Sequence, residues 1–272
     1  MSLIGTHWHP KGPNLRRLRE IKLDLSGTQF MFRVPLHSEH GIIFRERPSR
    51  YNLYDPSAYE QSDLFPGELS HFSCYSTAWK FTGLPGVQGR LGVLEMGVGL
   101  YHFPNGTNLF RPNVMEEALE AELAPFYGPE SKRINSYRSR CNWQVISING
   151  NEWLYFEIIK IDPRGSESRH HRWSMPTSKE HFLVVSFRES AFGRLTMTPG
   201  LKRQCARLRH LIMESTQLTL SPSAQAEKAE AAAQWPDESY SESLPELWPE
   251  KGPIQTMSDF EREIAEIKKR YK

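Results

Sequence analysis

The sequence predicts an α+β protein: an antiparallel β-sheet meander flanked by helices, an αβα sandwich, with an extended C-terminal tail. Three observations carry this. Apolar and polar residues alternate over Ile21–Leu25 and again over Phe30–Val34, with Ser26-Gly27 between them. Asn149-Gly150 divides two apolar runs, which is the strongest short-range hairpin signal because both residues accept positive φ. An apolar period of three to four residues runs over Leu201–Ile212, after the last strand pattern.

The elements follow in order. Residues 1–20 are rich in His, Pro and Arg, including His7-Trp8-His9, and are expected to form an extended arm. A single α+β domain is expected over 21–220. It opens with the hairpin Ile21–Pro35, whose second strand Pro35 ends because it cannot donate to a ladder. Irregular sequence over 45–69 leads to strands near Phe72–Phe81 and Gly89–His102. The second of these holds four glycines between Gly89 and Gly99. They lack the strand–turn–helix context of a dinucleotide fingerprint, and bulges or close packing explain them better. Asn113–Tyr127 reads as a helix capped by Asn113, with Glu116 and Glu117 in its first turn and Pro125 stopping it. Trp143–Ile148 and Glu152–Ile161 form the Asn-Gly hairpin, and Asp162-Pro163-Arg164-Gly165 makes a turn. The stretch from Ser166 to Glu180 reads as a polar loop, and His181–Arg188 as a strong strand. Pro199-Gly200 then opens the helix that carries Leu201, Cys205, Leu208, Leu211 and Ile212.

Beyond residue 220 the composition shifts to Ser, Ala, Glu and Pro, so 221–256 reads as a low-complexity acidic linker. Trp235 and Trp248 each precede a proline within it. Residues 257–272 read as an amphipathic helix, with a Ser258/Glu261 capping box and an apolar stripe of Phe260, Ile264, Ile267 and Tyr271. A short isolated helix is marginal in water, so this one is expected to dock, in cis or on a partner. Trp235, Trp248, Phe260, Ile264, Ile267 and Tyr271 are therefore the candidate partner-binding residues.

Composition excludes several classes. A chain of 272 residues with 38% apolar and 24% charged side chains can build one sizeable core. Its net charge of +2 is not that of a polybasic nucleic-acid binder, and no specific nucleic-acid partner is expected. Apolar runs of only a few residues exclude a membrane-inserting helix, and the first twelve residues have no leader pattern, so a cytoplasmic location is expected. The near-neutral total hides blocks: net +5 over residues 1–50, −6 over 51–129, +7 over 130–220 and −4 over 221–272. Opposite blocks are expected to meet in the fold, or else the basic block faces an acidic partner.

No catalytic constellation stands out. Gly-x-Ser-x-Gly, His-Glu-x-x-His and Cys-x-x-Cys are all absent. Cys74, Cys141 and Cys205 are too far apart for a compact zinc site. Each reads as a structural thiol, although Arg138 and Arg140 beside Cys141 are placed to lower its pKa. No catalytic residue, cofactor or metal is assigned. The enzyme alternative places a pocket on the concave sheet face, lined by Trp143, Trp153 and Trp173 with His170, His171 and His181.

The order of elements resembles the PsbP/Mog1/DcrB-like fold family over roughly residues 25–220. The resemblance rests on the hairpin around GTQFMFRVP, the meander around INGNEWLYFEII, the strand HFLVVSF and the closing helix LRHLIMESTQL, with Ser215 as the serine that ends the family's last helix. It implies an antiparallel sheet sandwiched by helices. It also implies a non-enzymatic role, as an adaptor to a larger assembly, a transport cofactor or a secretion chaperone, and it carries over no catalytic residues. The functional expectation is thus a protein-binding adaptor or chaperone, possible within a secretion or transport assembly. A His/Trp-lined enzyme and an immunity-type inhibitor of a toxin are the alternatives.

Overall fold

The computed structural model describes residues 5–6, 8–36, 49–59, 69–104, 107–129, 136–161, 167–192 and 197–247. The chain is α+β, with two sheets and three helices among these residues. The hairpin forms as its alternation predicts. Strand β1 (Leu18–Leu25) pairs antiparallel with β2 (Thr28–Pro35), and the turn takes Ser26 at φ 51° and Gly27 at φ 92°. Two residues of β3 (Arg50–Tyr51) extend this small sheet on one side.

The larger sheet has six strands. They are β4 (Ser70–Thr82), β5 (Arg90–His102), β6 (Ser136–Ile148), β7 (Asn151–Ile161), β8 (Glu167–Pro176) and β9 (His181–Ala191). Their spatial order is β4-β5-β9-β8-β7-β6, and every neighbour is antiparallel. The expected meander is therefore present as β6 to β9, with the β4–β5 hairpin added against β9. Asn149 (φ 50°) and Gly150 (φ 78°) make the tight β6–β7 turn.

The stretch read as a polar loop is largely β8, a strand inside the sheet. Its polar character misled because strand neighbours satisfy it: alternate residues face opposite sides, and carboxylates from β7, β9 and a helix meet them there. The Asp162–Gly165 turn lies outside the described residues.

Helix α1 spans Pro112–Tyr127, α2 Pro199–Glu214 and α3 Pro222–Gln234. One face of the large sheet packs on the small sheet and α2. Phe30, Phe32, Trp79, Phe81, Leu94, Trp153 and Phe187 meet there, together with Leu201, Cys205, Leu208 and Ile212 of α2. Each fully buried aliphatic or phenyl side chain contributes about 1.5–3 kcal/mol of transfer free energy. Thr198 caps α2 by accepting from the Leu201 amide at 3.2 Å. At the other end Ser215 closes the helix, and its Oγ accepts the Arg33 amide of β2 at 2.8 Å. Strand β10 (Gln217–Thr219) then completes the small sheet beside β2.

The opposite face of the large sheet receives α1 through Val114, Met115, Leu119, Leu123 and Tyr127, against Leu154, Phe156, Ile158, Phe182 and Val184. Here the start and stop signals differ from expectation. Arg111, not Asn113, is the N-cap, and Pro112 takes the first helical position, where its missing N–H costs nothing. Glu116 and Glu117 consequently lie beyond the first turn. Pro125 sits inside the last turn, and the helix ends at Gly128.

Residues 221–247 are not a linker. Ser221 caps α3 by accepting from the Ala224 amide, Pro222 opens it, and six alanines supply high helix propensity. A low apolar content removed the core signal without removing the helix. Residues 235–247 then form a strap over the α1 face. Arg138 and Glu246 pair through two bonds of 2.8 Å. Glu116 accepts the Ser241 amide at 2.7 Å and its hydroxyl at 2.8 Å, and Leu247 exchanges two backbone bonds with Ser139 of β6. The acidic tail thus meets the basic block, and the acidic block meets it too through Arg172–Glu122 and Arg140–Glu120.

Both edges of the large sheet are modified. Lys11 exchanges two backbone bonds with Thr82 at the β4 edge. At the β6 edge two register shifts accompany Arg140 and Asn142, both at positive φ.

Candidate functional site

Strand register places rows of polar residues and glycines on the α1 side of the large sheet. His170 of β8 stands opposite Arg188 of β9, and Arg188 opposite Glu95 of β5. One row along, Arg172 pairs with Ser186, Ser186 with Gly97, and Gly97 with Ser76 of β4. Gly99 lies opposite Ser73. Between these rows and the end of α1 lies a cleft of about 250 Å³, with Gly97 and Gly99 in its floor. His71, Ser73, Tyr127, His170, Arg172, Ser186 and Arg188 line it.

The glycines account for the cleft. A Cβ on Gly97 would meet only the Ser186 Oγ at 3.1 Å, and one on Gly99 only ordinary contacts, starting with Tyr101 at 3.5 Å. Gly92 differs. A Cβ there would lie 2.5 Å from Leu201 of α2, so close helix packing requires glycine at that position. Close packing therefore explains Gly92, and an open strand face explains Gly97 and Gly99.

The cleft's charged groups are unevenly satisfied. Arg172 is buried and donates to Glu122 of α1 at 2.8 Å, while its Nε has no hydrogen-bond partner among the described residues. Its guanidinium lies over the Phe156 ring at 5.6 Å. Arg188 is 52% exposed, and its contact with Glu95 is a loose 3.6 Å. Burial holds His170 down at about 4, and the neighbouring Arg188, Arg172, His171 and Lys160 add to that. Tyr101, stacked on Phe182 at 4.9 Å, is pushed up by burial and by Glu122.

The proposed His/Trp pocket does not assemble. Trp153, Trp173 and His171 face the small sheet and α2, whereas Trp143 lies on the α1 side against Phe156. His170 lines the cleft, on the opposite side of β8 from His171. His181 is buried where β9 begins. It bonds Ser178 at 2.7 Å and stacks on His102 at 4.7 Å. Burial, with His102 beside it, holds His181 down at about 4.

His171 belongs to a buried relay. Tyr155 contacts its Nδ1 at 2.9 Å and donates to Glu157 at 2.7 Å, while Glu189 stands 3.4 Å from Nε2. Arg169 pairs with Glu157, and Arg209 of α2 pairs with Glu189. Burial pushes both carboxyls up. The Tyr155 bond and the His171 charge outweigh it for Glu157, the His171 bond and Arg209 outweigh it for Glu189, and both end below the usual range. His171, Glu157 and Glu189 are no more than 9% exposed, so the relay ties α2 to the sheet rather than meeting solvent. The cysteines are free and buried; burial pushes the Cys141 thiol up to about 12 despite Arg138.

Trp235 docks on its own domain, with the Arg111 guanidinium 4.0 Å from its ring centre. Arg111 also holds Glu238, and the Trp143 indole donates to the Ser241 carbonyl at 2.8 Å. Trp248, Phe260, Ile264, Ile267 and Tyr271 lie outside the described residues. No helix among the described residues is long and apolar enough to cross a membrane.

No known protein family matches the sequence, and no curated protein matches it. Solved structures give two distant likenesses. One is a protein of Bacteroides thetaiotaomicron VPI-5482, 10% identical with a TM-score of 0.27, where the match covers 70% of this chain and 45% of the other. The chain thus spans less than half the length of that protein. The other is LpqN of Mycobacterium tuberculosis, described as involved in cell envelope biogenesis, also 10% identical, with a TM-score of 0.33 and a match covering 71% of this chain and 91% of LpqN.

Proposed function

We propose that the chain is a non-enzymatic protein-binding adaptor or chaperone that holds its partner in the glycine-floored cleft. The observation that supports this is the composition of the cleft. Two side-chain-free positions leave strand backbone accessible, serine hydroxyls flank them, and a half-exposed arginine stands at the rim. Such a floor suits an extended segment lying across it better than a compact substrate. The His171 relay is buried and held by its own partners, which suits a structural role. A protein-binding role is also what the resemblance to the PsbP/Mog1/DcrB-like family implies.

The test is site-directed photo-crosslinking in the native host. A crosslinking residue replaces Ser186 in the cleft or Arg203 on the exposed face of α2. The expected result is one discrete protein adduct from position 186 and none from 203. The purified partner then forms a complex of defined stoichiometry with the wild-type chain, and Gly99→Leu abolishes it. Equal adducts from both positions, or a complex indifferent to Gly99→Leu, would overturn the reading.

A further inference from the structure

Resting on the reading of this cleft as the partner site, we propose that it receives a carboxylate side chain of an acidic, extended peptide segment, held by Arg188, Arg172 and Ser186. Two observations point to an anion. Arg172 lines the cleft, is 7% exposed, and keeps an Nε–H without an acceptor among the described residues. A buried donor without an acceptor is costly, and an incoming oxygen relieves it. Arg188 stands half-exposed at the rim, with Glu95 at 3.6 Å too distant for a good hydrogen bond. Glu122 meets Arg172 from the α1 side through one oxygen, its other oxygen being without a partner among the described residues, but neither Glu122 nor Glu95 lines the cleft, whose lining includes Arg172 and Arg188. The cleft wall therefore presents more cationic than anionic capacity.

The charges around His170 agree. Those that act on it come from Lys160 on β7, Arg172 and His171 on β8, and Arg188 on β9, of which the lysine and both arginines are cationic. Glu95 of β5 meets Arg188 from its far side, His71 of β4 lines the cleft beyond the glycines, and Tyr101 and Tyr127 complete the surroundings. Burial first, and these charges with it, keep the His170 imidazole neutral, so the arginines are the cations that meet a ligand.

An extended segment is favoured over a free anion by the floor. Gly97 and Gly99 remove the side chains that would hold a peptide backbone away from the sheet, and Ser73 and Ser76 continue the polar track across β4. A free anion needs only the arginine end.

The experiment is fluorescence anisotropy on the full-length protein. It uses a labelled decapeptide of alternating Glu and Ser, its Gln/Ser counterpart, and inorganic phosphate as competitor. The expected result is binding of the Glu peptide that weakens about tenfold from low to high salt and about tenfold in Arg188→Gln. The Gln peptide should stay silent. Ser186→Ala, a smaller change, should weaken binding in the same direction. Equal affinity for the Gln peptide, or indifference to both variants, would overturn the acidic class. Displacement by phosphate at concentrations matching the peptide would do so as well, because the site would then read a free anion. A crosslinked partner that the Glu peptide does not displace defeats this inference alone. Absence of a cleft-specific adduct defeats the reading beneath it.

Discussion

Replacing Glu116 by alanine should release the C-terminal strap while leaving the sheet folded. The carboxylate accepts two bonds from Ser241, at 2.7 Å from the amide and 2.8 Å from the hydroxyl. A hydrogen bond to a charged group contributes about 1.5–3 kcal/mol when well buried. Both residues here are half-buried, and water replaces part of what is lost, so the pair together is taken at about 2 kcal/mol. Alanine does not harm α1, because it is the better helix former. A loss of about 2 kcal/mol raises the strap's opening constant about thirtyfold. Hydrogen exchange reads this directly at the Leu247 amide, which bonds the Ser139 carbonyl and lies six residues from the mutated contact. Exchange there should accelerate about thirtyfold, while amides in β7 and β9 keep wild-type rates. Two results would refute the reasoning. Equal acceleration at Leu247 and in the central strands would mean that the strap and sheet open as one unit. No acceleration anywhere would mean that Glu116 does not hold the strap.

Two further expectations follow from buried charge. His170 and His181 are both held down at about 4 in the folded state against about 6.5 unfolded. The unfolded chain therefore takes up protons first as pH falls, and stability is lost between about pH 6.5 and pH 4, by about 2 kcal/mol from His181 alone at pH 5. Urea midpoints measured from pH 7 to pH 5 should decline, and His181→Gln should flatten the slope; a flat wild-type profile would contradict this. For the buried Arg172–Glu122 pair, Glu122→Leu alone should destabilise by about 3–5 kcal/mol. Arg172→Met with Glu122→Leu should recover most of that loss in thermal melts, whereas additive losses would mean the pair is not isolated from its surroundings.

The local rules were legible where neighbours in sequence decide the structure. Ser26-Gly27 and Asn149-Gly150 turn because of backbone freedom, and α2 forms from its own period and its Thr198 cap. β8 was hidden because its polar side chains are satisfied only across strands, by Glu157, Glu189 and Glu122, and no local pattern announces such partners. α3 was hidden for the opposite reason: alanine gives propensity without periodicity. The cleft was half legible. Its glycines marked β5 as unusual, but register decides which of them face α2 and which an open surface, and register is set by pairing with residues some 90 positions away. The Trp/His pocket failed on the same ground. Trp143 and Trp153 sit on facing strands of one hairpin, yet they point to opposite sides of the sheet.

The strand order also bears on how the chain is made. β5 has its second neighbour only when residues 181–191 arrive, and β2 is flanked by β10 only at residues 217–219. The first half of the chain therefore leaves the ribosome with an open sheet edge and an uncovered aromatic layer around Phe30 and Phe32. At synthesis rates of about 5–20 residues per second the exposure of that layer lasts about 10–40 seconds. Nascent chains of this protein are thus natural clients for whatever shields hydrophobic surface during translation, and the last strand to emerge is the one that ends the need for it.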